Sequence, residues 1–364
     1  KTPGGKPPGF LRFVQGGYMT KFLSSLVAAF VLAMFSPALA QSQEGQGAYG
    51  IAAMRPVIGG ACAYCPWGAL ADKVKTAMKP LGYDVQVCYN CSREDSTRIV
   101  SERRMPPPPL PQQMDRPEAP KAPVDCGAVS VDFLSQTYNG TGLYAAEGPR
   151  RNLRLIAKID SPNYYLIAVR AETMITDLGQ IRERRLPVRL YVDRRAVPVL
   201  EHYGITRKEL ESWGGTIVSG AEGRLTADVI MHFASSLNNT PESNIWYEVS
   251  QKANLRFLEL PDDLLKKVVD REDWEVGYVP VKLMRGIDKV LKVPYSSGHV
   301  VYGRDDMPDQ FAYDVAKALD LGKRDLIFAV LPLSYNSAEV WKTKGGVPLH
   351  PGAERYYREV GYMK

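Results

Sequence analysis

Cys62-Ala-Tyr-Cys65-Pro-Trp-Gly68 and Val85-Gln-Val-Cys88-Tyr-Asn-Cys91-Ser92 frame a single helical run. Pro66 suits a first helical turn, where its missing N–H costs nothing. Leu70, Val74 and Met78, with Ala71 and Ala77, form one apolar stripe at helical spacing. Pro80 and Gly82 end that helix, and Tyr83 to Val87 alternates as a strand. Ser92-Arg-Glu-Asp95 has the pattern of a capping box for a second helix carrying Ile99 and Val100. Strands alternating with helices point to an open parallel sheet. The first cysteine pair then sits at a helix N-terminus, and the second in a loop between a strand and the next helix. Such loops emerge at the carboxyl ends of the strands, where ligands bind. The four sulfurs are expected to face one cleft.

Upstream, Met19-Thr-Lys21, the apolar run Phe22 to Phe35 and Ala38-Leu-Ala40 read as a secretory signal peptide with its cleavage site. The apolar run is too short to span a bilayer comfortably. Residues 1–18 read as an upstream segment and 41–48 as a short leader, so the mature protein is expected to be exported, in a periplasmic compartment that permits disulfides. Tyr49 to Met54 is the first strand candidate. Met105 to Pro123 carries eight prolines, including Pro106 to Pro109, and reads as an exposed Pro-rich loop. Val124 to Ser130 follows as a third strand.

From about residue 161 the alternation starts again. Tyr164–Arg170, Leu186–Val192 and Leu255–Leu260 read as strands. Thr176–Ile181, Ala196–Tyr203, Thr226–Leu237 and Pro261–Val269 read as helices, and Thr206-Arg-Lys-Glu209 caps another. The chain returns through a strand at Ser297–Tyr302 and a helix at Pro308–Leu319. The expected organisation is a segment 1–40 to be removed, the first part of one lobe over 41–160 with the Pro-rich loop 105–123, a second lobe over 161–272, and a return to the first lobe over 273–364. Crossovers between lobes are expected near residues 155–165 and 270–280.

The 364 residues suit two lobes better than one core. The net charge of +6 comes largely from Lys1, Lys6, Arg12 and Lys21, and without them 42 basic groups face 40 acidic ones. That balance gives no support to a nucleic-acid partner. There is no Gly-x-Ser-x-Gly, phosphate-binding loop, Rossmann fingerprint or zinc-protease spacing. The sequence therefore offers no support for an enzyme.

Three readings of the cysteines stay open. Cys62, Cys65, Cys88 and Cys91 have the ligand types of a zinc-like metal site. In an oxidising compartment they form disulfides instead, leaving Cys126 odd. A third reading is a cluster of reactive thiolates activated at helix N-termini. On either the metal or the thiol reading the protein would handle metals or thiols rather than transport a solute.

Val347-Pro-Leu-His350-Pro-Gly-Ala-Glu-Arg355-Tyr-Tyr-Arg-Glu-Val-Gly361 resembles the closing motif of the TAXI family, the solute receptors of one class of tripartite TRAP transporters. Met307–Leu319 resembles that family's penultimate helix, and Leu153–Ala157 through Leu166–Ala171 its crossover strand. The resemblance implies an α/β, two-lobed periplasmic binding protein of type II-like fold, with an open, mainly parallel sheet flanked by helices in each lobe and a ligand cleft between them. It also implies a small-molecule solute, such as a carboxylate, captured by hinge closure and delivered to TRAP-type membrane permease subunits, with no cofactor required. The ligand loops depart from the family pattern: Gly59–Trp67, Cys88–Asp95 and Val192–Val197 replace its Gly- and Ser-rich loops.

Candidate ligand-binding residues follow from those loops and their strands. Tyr64 and Trp67 would wall a solute. Asn90, Ser92, Ser130 and Tyr165 offer hydrogen bonds at strand ends. Arg170, Arg194 and the adjacent Arg195 offer bidentate carboxylate contacts. His350 is expected to fix a C-terminal turn, while His202, His232 and His299 are scattered.

Overall fold

The computed structural model describes residues 55–60, 65–91, 95–108, 119–234, 245–328, 333–342 and 344–364. The chain begins with three strand–helix pairs: β1 (Val57–Gly59) and α1 (Pro66–Met78), β2 (Gln86–Cys88) and α2 (Ser96–Ser101), β3 (Cys126–Ser130) and α3 (Val131–Asn139). A strand of 18 residues, β4 (Leu153–Arg170), leads away. There follow α4 (Gly179–Glu183), β5 (Arg189–Val192), α5 (Val197–His202), α6 (Arg207–Ser212), β6 (Thr216–Val218), α7 (Gly220–Thr226), β7 (Val229–Ala234), α8 (Ile245–Lys252), β8 (Leu255–Leu258), α9 (Asp262–Glu272) and β9 (Glu275–Val279). β10 (Leu291–Arg304), 14 residues long, returns, and α10 (Asp309–Leu321) and α11 (Pro351–Glu359) close the chain.

Local sequence explains most of these elements. Pro66 occupies the first turn of α1, whose Leu70, Ala71, Val74 and Met78 are buried. Thr206 and Glu209 form a complete capping box at the start of α6. His350 caps α11, its Nδ1 accepting from the Gly352 N–H at 3.2 Å while its other ring nitrogen lies 3.1 Å from the Met307 carbonyl. The imidazole thus ties α11 to the turn before α10, as the sequence suggested.

Two lobes result, each a sheet with helices on both faces. In the first, β1 pairs in parallel with β2 and β3. One face packs Leu70, Val74, Phe311, Val315 and Tyr357 from α1, α10 and α11, and the other packs Ile99, Phe133 and Leu134 from α2 and α3. In the second lobe β5 pairs in parallel with β6 and β7, with Leu264 and Val268 of α9 against one face and Trp246 and Val249 of α8 against the other. β4 and β10 belong to both lobes. They pair antiparallel with each other from Leu153–Arg304 to Tyr164–Tyr295, and antiparallel to their neighbours β3, β7, β8 and β9. The sheets are therefore mixed, and the expectation of a mainly parallel sheet holds only for β1–β3 and β5–β7.

The two shared strands break register between Ser296 and Gly298, midway between the two cores. Gly298 has φ +145°, and a Cβ there would stand 2.3 Å from the Ile159 carbonyl oxygen. Only glycine lets the strands approach so closely at this bend.

Three expectations are corrected. The apolar stripe over Thr226–Leu237 predicts a helix, yet Val229–Ala234 is a strand. Val229, Ile230 and Met231 are all buried, and a strand covered on both faces loses its two-residue alternation. The second shared strand is Leu291–Arg304 and not 270–280, where α9 ends and β9 begins. The helix expected from the Ser92–Asp95 capping box has Asp95 as its N-cap, while Ser92 itself lies outside the described residues. The strand candidate Tyr49–Met54 lies outside the described residues, as do the signal segment and much of the Pro-rich loop. Among the described residues, no helix is long and apolar enough to cross a membrane.

Candidate functional site

Because β1, β2 and β3 are parallel, their carboxyl ends Gly59, Cys88 and Ser130 share one rim, and α1 and α3 start from it. Cys88 and Cys91 are joined as a disulfide that closes the loop after β2, and both are buried. Cys65, the N-cap of α1, is disulfide-bonded as well. This overturns the zinc-like site at Cys62, Cys65, Cys88 and Cys91. A sulfur bonded to another has no thiolate to offer a metal, and among the described residues no group of three or more Cys, His, Asp or Glu side chains could hold an ion. Cys62 lies outside the described residues. Cys126 is a buried free thiol that opens β3 and pairs in register with Ile58, beside the carboxyl end of β1. Burial, and then the Asp125 charge, push its pKa up, so it is not a reactive thiolate.

The second lobe meets the first across α3. Gln136 Nε2 donates to the Glu272 carbonyl at 3.0 Å, and Lys344 donates to the Trp274 carbonyl while pairing with Asp273 at 3.3 Å. At the start of α3, buried Asp132 accepts from the Ser296 hydroxyl at 3.3 Å. Desolvation pushes the Asp132 carboxyl up to about 6; the nearby Arg195 charge opposes that rise and Glu272 adds to it. Arg195 comes from the short turn after β5. Its backbone N–H and Nη1 both donate to Asp193, at 2.8 and 3.0 Å, and its guanidinium lies 4.4 Å from the Phe233 ring centre and 6.0 Å from that of Trp274. Tyr165 Oη donates to Asp193 at 3.3 Å from beneath. An acid of the first lobe and acids and an arginine of the second thus converge beside the crossover.

Next to them lies a cavity of about 210 Å³, lined by Val131 at the first turn of α3, Lys158 of β4, Ser297 of β10, Glu275 of β9, and Glu339, Lys342 and Lys344 from the segment before α11. Lys158 pairs with Asp160 at 3.4 Å and Lys342 with Glu339 at 2.9 Å. The lining therefore offers three ammonium groups and two carboxylates beside a helix N-terminus.

The residues named from sequence fall into three sets. Trp67, Asn90 and Ser130 stand on the first-lobe rim. The Trp67 ring meets Phe133 and His299 edge-on, at 6.5 and 6.1 Å between centres. The Trp67 Nε1 and Asn90 Oδ1 atoms are buried and meet no hydrogen-bond partner. Tyr165 and Arg194 belong to the second-lobe side, Arg194 reaching to 4.0 Å from Glu272. Arg170 stands apart: it ends β4 away from the crossover and donates to the Ala227 carbonyl at 2.7 Å and to that of Leu225. Tyr64 and Ser92 lie outside the described residues. Sequence reasoning passed over Asp132, Lys158, Glu272 and the closeness of His299 to Trp67. An acid following Ser130 at the strand-to-helix step was the one local signal for Asp132.

A family model described as the NMT1-like family matches residues 120–361. Among solved structures, the periplasmic binding protein BugD is 10% identical, covering 84% of this chain and 93% of that one at a TM-score of 0.39. A protein of Bordetella bronchiseptica RB50 is 11% identical, covering 84% and 98% at 0.39. The alkanesulfonate-binding protein SsuA of Xanthomonas axonopodis pv. citri, bound to MOPS, is 12% identical, covering 84% and 83% at 0.32. These likenesses are distant and carry no functional inference.

Proposed function

The chain belongs to the NMT1-like family, and from that premise we propose that it is an exported, periplasmic receptor that closes two lobes on a small solute. Its finer role would be delivery of that solute to the permease of a TRAP-type tripartite transporter, in the manner of the TAXI receptors its C-terminal motif resembles. The observation that carries the reading is the placement of the 210 Å³ cavity. It lies at the crossover of β4 and β10 and takes lining from the first lobe, the shared strands and Glu275 of β9.

Closure follows from differential contact. A solute that touches Lys158 on one side and Glu275 on the other binds the closed form better than the open one, and only that difference shifts the equilibrium. Three lysines and the α3 N-terminus favour an anionic end on the solute, such as a carboxylate. The bend at Gly298 supports a hinge there.

The test is to identify co-purified solute by native mass spectrometry and add it back to stripped protein. At a hundred times its Kd, a ligand of the native state stabilises by about 2.7 kcal/mol. Lys158→Gln together with Lys342→Gln should weaken binding at least tenfold. A recovered solute whose affinity ignores both substitutions would move the site away from this cavity.

A further inference from the structure

At the first-lobe rim a buried histidine and a half-buried tryptophan meet, each with buried ring nitrogen that finds no partner. His299 of β10 is fully buried, pairs through its backbone with Ser130, the last residue of β3, and meets no hydrogen-bond partner at either ring nitrogen. Trp67 stands in the first turn of α1 with its Nε1 likewise buried and unpartnered, and the two rings meet edge-on at 6.1 Å and 84°. The N-cap of α1, Cys65, supplies no side-chain hydrogen bond to that turn, and no acidic residue lies in it. A buried donor or acceptor left unmet costs free energy, and most such groups in proteins are satisfied. Two of them side by side, at the rim where strands end and helices begin, mark a place that a ligand completes.

The atoms define what that ligand end must be. Burial lowers the His299 pKa to about 3, so its ring is neutral at ordinary pH, with one N–H donor and one bare acceptor nitrogen. Trp67 contributes a second donor, and Asn90 Oδ1, on the same rim, a second acceptor. A carboxylate accepts only, and would leave the acceptors facing its own oxygens. An ammonium donates only, and would leave the donors unmet. A carboxamide or urea both donates and accepts and brings no charge into a desolvated place.

We propose that Trp67 and His299 form the docking point for an uncharged donor–acceptor group of the solute, of the carboxamide or urea class. This rests on the receptor reading above and adds the chemistry of one end of its ligand. Ser297, two positions before His299 on β10, lines the lysine-bearing cavity, so one small solute can reach both places.

The experiment is a titration of the ¹⁵N-labelled mature protein, reading the indole N–H signal of Trp67, which Trp67→Phe assigns. The probes are propionamide, propionate and propylammonium, equal in size and different in charge. Propionamide is expected to move the indole signal saturably downfield, with propionate and propylammonium at least tenfold weaker at that signal. In His299→Leu the apparent affinity for propionamide should fall at least tenfold. An equal response to propionate, no response to propionamide, or an unchanged affinity in a folded His299→Leu overturns the proposal. If that variant does not fold, the comparison of three probes on the parent protein decides. The two readings fail separately. A solute that closes the lobes and leaves the Trp67 signal unmoved removes this inference alone, whereas an indole response to propionamide in a protein that no solute closes removes only the hinge.

Discussion

Asp132→Asn should change the pH dependence of stability in a way that only a buried, lobe-facing carboxyl explains. Asp132 is 8% exposed, and burial raises its pKa from 3.8 to about 6. A carboxyl raised in the folded state adds stability that is complete below its unfolded pKa and is lost as pH climbs through the folded one. The unfolded chain binds fewer protons than the native state between those values, so stability falls with rising pH. At about 1.4 kcal/mol for each pH unit crossed, the interval amounts to about 3 kcal/mol. His299 works in the opposite sense: its folded pKa is lowered to about 3, so its contribution is complete above the unfolded value and declines as pH falls from about 6.5. Between pH 4 and 6 the two slopes nearly cancel in the parent protein. Asp132→Asn removes one of them. Urea denaturation of both proteins at pH 4, 5, 6 and 7 reads the difference. The variant should gain about 2 kcal/mol relative to the parent between pH 4 and pH 6, the part of that interval the range covers. A difference that stays constant across that range would show Asp132 to be solvated, and the inter-lobe cluster would be wrong.

Further expectations concern the scaffold. Cys88→Ser with Cys91→Ser should lower stability by about 2 kcal/mol, as expected for a short closed loop, and a chelator should leave the melting temperature of both parent and variant unchanged. Thr206→Ala breaks the capping box of α6 and should cost about 1 kcal/mol, measured by the same urea titration. Gly298→Ala sets a Cβ 2.3 Å from the Ile159 carbonyl oxygen at φ +145°; a loss of about 1–3 kcal/mol is expected, and full parental stability would place the bend elsewhere.

Sequence reading succeeded where the signal was local. Pro66 and the apolar stripe through Met78 mark α1, and Thr206 with Glu209 marks the start of α6. It failed where burial or pairing partners decide. Val229–Ala234 is covered on both sides, which erases the alternation that would announce a strand. The lobe-two half of β10 was hidden by Pro294, a residue that argues against an interior strand although it sits opposite Val276 of β9. Two Cys-x-x-Cys pairs look alike whether they hold a metal or close a disulfide, and only the Cys88–Cys91 geometry separates the cases. Asp132 and His299 owe their character to neighbours far away in sequence. Arg195 and Glu272 face the first, and Trp67 faces the second.

Small-angle X-ray scattering of the protein, with and without the solute recovered by native mass spectrometry, tests the central claim most directly. The claim is that two lobes sharing β4 and β10 close on a ligand at their crossover. A saturable decrease in the radius of gyration is expected, with a midpoint that matches the Kd obtained by calorimetry and moves with it in the Lys158→Gln, Lys342→Gln variant. Saturating solute bound at full stoichiometry with an unchanged radius of gyration would contradict the account.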